Sequence, residues 1–381
     1  MNHTGKFGSN CAFIHDWLIT WGGGESVLEA ALELYPQADI HTLVYQKETF
    51  TESPISEQDI KTSFIQRMPG SRANHRIYLP FMPLAIEQFD LRSYDWILSS
   101  NHAVAHGVLT QPDQMHVSYV HAPMRYAWSL YHQYLNQANL TRGLNSWLAR
   151  IILHYVRLWD YHAAQRVDHF IANSAWTASN VWRAYRREAD VIYPPVSVDD
   201  FEPASQKSDY YITISRLVPY KRINIIVEAF NHLGLPLMVI GDGPDLKRLK
   251  RIANPNINFL GWQSQSDLKD KLSRAKAFVY TAVEDFGITP VEAQAAGCPV
   301  IAYGKGGVRE TVVEGRTGLF FHEQTSESLI EAIQNFEGDP NRFEISVLRK
   351  NAERFNKARF QQELSTYIEA KYSDFQREKK A

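Results

Sequence analysis

A chain of 381 residues is longer than one hydrophobic core usually serves, so two domains are expected. Its 44% hydrophobic and 22% charged residues are those of a globular protein, and a net charge of −2 argues against a general nucleic-acid binder, which carries a basic excess. Cys11 and Cys298, far apart among apolar neighbours, suit two reduced, buried thiols rather than a disulfide framework. No apolar run is long enough to span a bilayer and none marks a signal peptide, which predicts a cytoplasmic location.

Taken in order, the first half reads as strand–loop–helix units. Cys11–Ile14 is a short strand, His15–Gly24 a loop ending in three glycines, and Glu25–Leu34 a helix. Further strands are predicted over 38–44, 95–99 and 115–120. The Gly22-Gly23-Gly24 turn before a helix resembles a phosphate turn of doubly wound folds, or is simply a tight turn. Without the full G-x-G-x-x-G pattern a nicotinamide cofactor is disfavoured. From Arg125 to Arg166 the chain turns helical and aromatic, with arginines interleaved. This pattern fits a helical pair packed on its own core, or a contact with a membrane surface. The prolines after Ile192 and the polar stretch 199–208 mark a linker. Beyond it, strands at 210–215, 237–240, 257–260, 277–281, 300–303 and 318–321 alternate with helices, which predicts a parallel sheet covered on both faces. Two helices, roughly 342–355 and 360–377, follow the last strand.

The chemistry gathers in the second half. Ligands of open α/β sheets bind beyond the carboxyl ends of strands. Arg216 and Lys221 fall there, as a forked and a point cation suited to a diphosphate. So does the stretch from Glu284 through Phe286, Gly287, Ile288, Thr289 and Pro290 to Glu292. Pro290 fits the first helical position, and the helix start would offer unpaired N–H groups to an anion. Glu284 and Glu292 are acceptors for sugar or ribose hydroxyls, although Thr289-Pro290-Val291-Glu292 also reads as a capping box. Gly241 opens a loop at the same edge, and Trp262 is either a base platform or ordinary packing. The spacing of His102, His106, His116 and His121 matches no zinc pattern, and no Asp-x-Asp occurs, so no metal or other cofactor is expected.

These residues, with Gly306-Gly307-Val308-Arg309-Glu310, resemble the second domain of retaining glycosyltransferases of the GT-B fold, in the large bacterial group that builds lipopolysaccharide and exopolysaccharide (glycosyltransferase family 4). His15-Asp16-Trp17, Gly22-Gly23-Gly24-Glu25 and Val120-His121-Ala122-Pro123-Met124-Arg125 resemble the O-antigen type members, transferring mannose or glucose. The resemblance implies an α/β fold of two Rossmann-like domains facing across a cleft. Residues 1–197, rejoined by a C-terminal helix at 360–381, would bind the acceptor, and 198–359 the nucleotide sugar. It implies that Glu284 holds the donor sugar, assisted by backbone at 286–289, and that Glu292 binds the ribose. Arg216 and Lys221 would grip the diphosphate with Gly23 approaching it. His121 would stand beside the reacting carbon and Asp16 on the acceptor side, although Asp16 could equally hold its own loop by bonding nearby backbone N–H groups. The implied reaction moves a hexose, from UDP-glucose by first choice and GDP-mannose next, to a lipid-linked glycan at the inner face of the plasma membrane. A nucleotide-sugar epimerase of the same architecture is the rival.

Overall fold

The computed structural model describes residues 10–379. Residues 1–9, part of the stretch in which no signal peptide is expected, lie outside them. The chain divides into two units: one runs to Pro194 and is rejoined at Phe360, and the other is Pro195–Arg359.

The first unit is built on a seven-stranded sheet. Its strands are β1 (Cys11–His15), β2 (Asp39–Thr42), β3 (Ile60–Thr62), β4 (Trp96–Asn101), β5 (Met115–Val120), β6 (His169–Ala172) and β7 (Asp190–Val191), ordered β3-β2-β1-β4-β5-β6-β7. All pairs are parallel. Strands β1, β4 and β5 are buried along their whole length, as apolar strands covered on both faces must be. The C-terminal helix Lys357–Glu378 belongs to this unit from Phe360 onward. Phe360, Leu364 and Ile368 join the core formed by Phe13, Leu28 and Tyr119, and Gln361 bonds Ala30 and Glu33 of the Gly23–Leu34 helix.

The second unit carries β8 (Tyr211–Ile214), β9 (Leu237–Ile240), β10 (Ile257–Gly261), β11 (Ala277–Tyr280), β12 (Val300–Tyr303) and β13 (Gly318–Phe321) in the order β10-β9-β8-β11-β12-β13, again all parallel. In each sheet the strand order reverses once, between β1 and β4 and between β8 and β11. In open α/β sheets the carboxyl edge at such a reversal is where ligands bind. Both cysteines are free and buried. Among the described residues no helix is long and apolar enough to cross a membrane.

The aromatic Arg125–Arg166 region resolves into helices Tyr131–Gln137 and Leu144–Ala164. The second buries Leu153, Val156, Asp160 and Ala163 against the first unit, yet leaves a face of large apolar side chains exposed. Periodicity predicts two helices there but does not say that the longer one is apolar on both sides.

Candidate active site

In the second unit the reversal point gathers the predicted cations and carboxylates. β8 runs into Ser215-Arg216-Leu217, and this turn is pinned from β9's side by Leu217 N–H donating to Asp242 (2.8 Å) and Asp245 N–H to Leu217 (3.1 Å). Gly241 is obligatory in this contact. It sits at φ +128°, and a Cβ there would come within 1.9 Å of the Ser215 carbonyl oxygen. From the other side Thr281, at the end of β11, donates its hydroxyl to the Lys221 carbonyl (2.8 Å). Arg216 and Lys221 are thus held on two braced turns. The Arg216 side chain is exposed with no acidic partner among the described residues, whereas Lys221 is mostly buried and paired with Glu284. The Glu284 carboxylate also accepts from the Tyr280 hydroxyl, and its backbone carbonyl receives the Gly307 N–H (2.9 Å).

Beyond Glu284 the chain places Phe286 inside, against the Phe355 ring at 5.4 Å. It then reverses at Gly287, φ +88°, which caps the helix Ile288–Ala295. The helix therefore starts two residues earlier than the proline suggested. A left-handed glycine reverses the chain directly into a helical turn, and a proline without an N–H is harmless anywhere in that turn. Two consequences follow. The N–H groups of Gly287, Ile288 and Thr289 have no backbone partner among the described residues and are available to an anion. Thr289 is helical rather than the cap, so the capping box does not form. Glu292 is left half-buried, its carboxylate with no hydrogen-bond partner among the described residues. Burial pushes its carboxyl pKa up to about 7, with Lys269 opposing.

Trp262 follows the edge strand β10 and is 81% exposed, so it is not a packing residue. It stands two strands away from β8 rather than at the reversal point.

In the first unit the reversal point joins β1 to β4 through Asp16. This residue is fully buried, and its carboxylate accepts the backbone N–H groups of His102 (2.7 Å), Ala103 (3.0 Å), Val104 (2.6 Å) and Ala105 (2.8 Å). It also holds His102 Nδ1 at 3.0 Å. Asp16 is thus closed off from an acceptor. It braces the loop after β4, a neighbour's loop rather than its own, and the group it presents is the imidazole of His102, whose side chain is 31% exposed. Asp16→Asn should lower unfolding stability by about 1–3 kcal/mol, because an amide turns an N–H donor toward backbone donors. Thermal unfolding checks this, and an unchanged midpoint would remove the bracing role.

His121 follows β5, its Nε2 2.8 Å from the Ser100 hydroxyl and its carbonyl bonded by Asn173. Burial, together with His102, His15 and Arg125, holds its pKa well below the ordinary histidine value, so it is neutral at physiological pH. The glycine turn comes to it: a Cβ on Gly24 would meet His15 Cε1 at 3.4 Å and His121 Nε2 at 3.5 Å. Gly22 and Gly23 open the same helix, whose Glu25 lies 3.4 Å from His15 Nε2. The sequence assigned no site role to His15, Ser100, His102 or Tyr280. Each lies at a strand's carboxyl end, and that position alone could have flagged them.

Comparison with known proteins places this geometry. Residues 198–359 match the model of glycosyl transferases group 1, and residues 21–200 that of glycosyltransferase family 4. A GDP-mannose-dependent alpha-(1-6)-phosphatidylinositol monomannoside mannosyltransferase of Mycobacterium tuberculosis is 29% identical over 192 residues, covering 42% of this chain and 50% of that protein. The chain spans about half the length of the curated relatives it matches. Among solved structures, sucrose-phosphate synthase from Thermosynechococcus elongatus superposes with a TM-score of 0.73 at 16% identity, covering 96% of this chain and all of that one. Anabaena HepE in complex with UDP and glucose superposes with a TM-score of 0.69 at 18% identity, covering 95% and 99%. These likenesses show the fold, two parallel Rossmann-like sheets of the GT-B class. With consecutive family models over nearly its whole length, the chain belongs to the group 1 and family 4 glycosyltransferases.

Proposed function

We propose that this chain is a retaining hexosyltransferase. It moves a hexose from a nucleotide diphosphate sugar to a hydroxyl of a growing, lipid-linked polysaccharide, without a metal ion. One observation carries the reading: exposed Arg216, the Lys221–Glu284–Tyr280 cluster and the open N–H groups of Gly287–Thr289 converge at one reversal point of one sheet.

Fission of the bond between sugar carbon and phosphate oxygen leaves positive charge on the sugar and adds negative charge to the diphosphate. Arg216, Lys221 and the helix start take up the departing charge in place, with little reorganisation. Glu284 accepts hydroxyls of the donor sugar and Glu292 those of the ribose. The acceptor oxygen bonds the sugar carbon on the face the phosphate leaves, and its proton passes to the departing phosphate oxygen. From the first unit, neutral His121 and the Gly22–Gly24 turn serve the donor. His102, held by Asp16, takes the acceptor-side role first assigned to Asp16 itself.

The curated relative named above is GDP-mannose-dependent, which supports GDP-mannose as a donor to be tried beside UDP-glucose. The test is release of nucleoside diphosphate by the purified chain from GDP-mannose and UDP-glucose, with EDTA present. Release from at least one donor, unaffected by EDTA, is expected. Loss of release in EDTA that magnesium restores would remove the metal-free mechanism. An isomerised sugar with no nucleotide released would point to an epimerase.

A further inference from the structure

The Leu144–Ala164 helix is anomalous in that its buried face does not exhaust its apolar residues. Leu144 (79% exposed), Trp147 (62%), Leu148, Ile151, Tyr155 and Leu158 all face outward. At 3.6 residues per turn these six fall within an arc of roughly 100°, along roughly 20 Å of helix. Scattered exposed leucines need no explanation, but a continuous stripe of this kind does.

Charge decides what covers it. Between Arg125 and Arg166 the chain has five arginines and a single acid, Asp160, in a protein of net charge −2. Asp160 is fully buried and accepts from Trp128 Nε1 (2.7 Å) and the Tyr185 hydroxyl (2.9 Å), so it offers nothing to the surface. Arg150 is exposed on the stripe's flank, where it meets Tyr131, and Arg142 is exposed just before the helix. His154 is exposed between them and the stripe. From outside the helix Glu87 accepts from Trp159 Nε1 (2.7 Å) and pairs with Arg166 (3.3 Å). A second copy would bring Arg142 and Arg150 against arginines with no exposed acid of the helix itself to pair them, unlike the mixed charges that flank a helical dimer seam. Trp and Tyr within the stripe, with exposed Arg142 and Arg150 beside it and Glu87 already paired with Arg166, are the composition of a helix lying in the headgroup layer of an anionic bilayer.

We infer that the outer face of the Leu144–Ala164 helix docks the protein onto an anionic lipid surface, lying in the interface without crossing it. The inference deepens the proposed function by giving a lipid-linked acceptor a surface at which to be met. Its test is independent, because binding is read without donor or acceptor.

The full chain is sedimented with vesicles of phosphatidylcholine alone and of phosphatidylcholine with phosphatidylglycerol. Binding at least tenfold stronger to the anionic vesicles is expected, weakened by salt. Leu148→Glu with Ile151→Glu should abolish it. Arg142→Glu with Arg150→Glu should weaken it at least tenfold, and both pairs should keep the wild-type circular dichroism and nucleoside diphosphate release. No binding, binding indifferent to these substitutions, or a dimer that the glutamates dissolve would each overturn the inference. A chain that binds vesicles but releases no nucleotide from any donor would instead leave the docking standing and sink the transferase reading.

Discussion

Lys221→Ala should reduce turnover about 10²- to 10³-fold, the loss found when one fixed donor is removed from a developing oxyanion. The structure gives the reason in two parts. The ammonium sits on a turn braced by Thr281, so its position is set before substrate arrives, and it is mostly buried, where its charge is screened less than at the surface. Glu284→Ala should cost as much, since it removes both a hydroxyl acceptor and the partner that aims Lys221. Because the two side chains form one unit with Tyr280, the double variant should be little worse than either single one. Folding should survive in all three, for the pair lies at the rim of the sheet and not in its core. Single-turnover rates beside thermal unfolding check this. Near-normal turnover by either variant, or full additivity, would remove the assigned roles.

Glu292→Gln should make the protein more stable and the enzyme worse. The folded-state pKa of Glu292 is raised from the ordinary value of 4.5 to about 7 by burial. A raised folded pKa means the folded state holds the proton more tightly. The associated stability is complete below pH 4.5 and drains away as pH climbs through 7. Each pKa unit is worth about 1.4 kcal/mol, so the ionised carboxylate costs about 1–3 kcal/mol at pH 8. Glutamine carries no such cost, and the variant should gain that stability at pH 8 while matching wild type at pH 4.5. Donor binding should move the other way. Two ribose hydroxyls favour a carboxylate that accepts both, so wild-type affinity should rise toward pH 8, and the variant should bind about tenfold more weakly there. Urea unfolding at the two pH values, with donor titration at the upper one, checks the trade. A variant less stable at pH 8, or one that binds donor as well as wild type, would remove the reading.

Much of this was legible in the residues. β5, β9, β12 and β13 lie where the apolar runs put them, because short β-branched and aromatic segments between turn residues leave few other structures open. Charges after strands pointed to the sheet edge of the second unit for the same reason. What stayed hidden depends on contacts distant in sequence. Nothing near Asp16 reveals that its partners lie at His102–Ala105, so the sequence could not tell which loop it braces. The helix start at Ile288 hinges on Gly287 being left-handed, which the proline beside it obscured. The apolar period of Leu144–Ala164 is compatible with either face being inside, and only the folded chain shows that one of them was left over.

The C-terminal helix has a consequence for how the molecule is made. Phe360, Leu364 and Ile368 fill the core of a unit whose other parts end at Pro194, with a contiguous second unit intervening. A ribosome therefore delivers the closing piece of the earlier core after the later one is complete. The half that emerges first must wait, its apolar flank beside the Gly23–Leu34 helix uncovered, while the half that emerges second can close without delay.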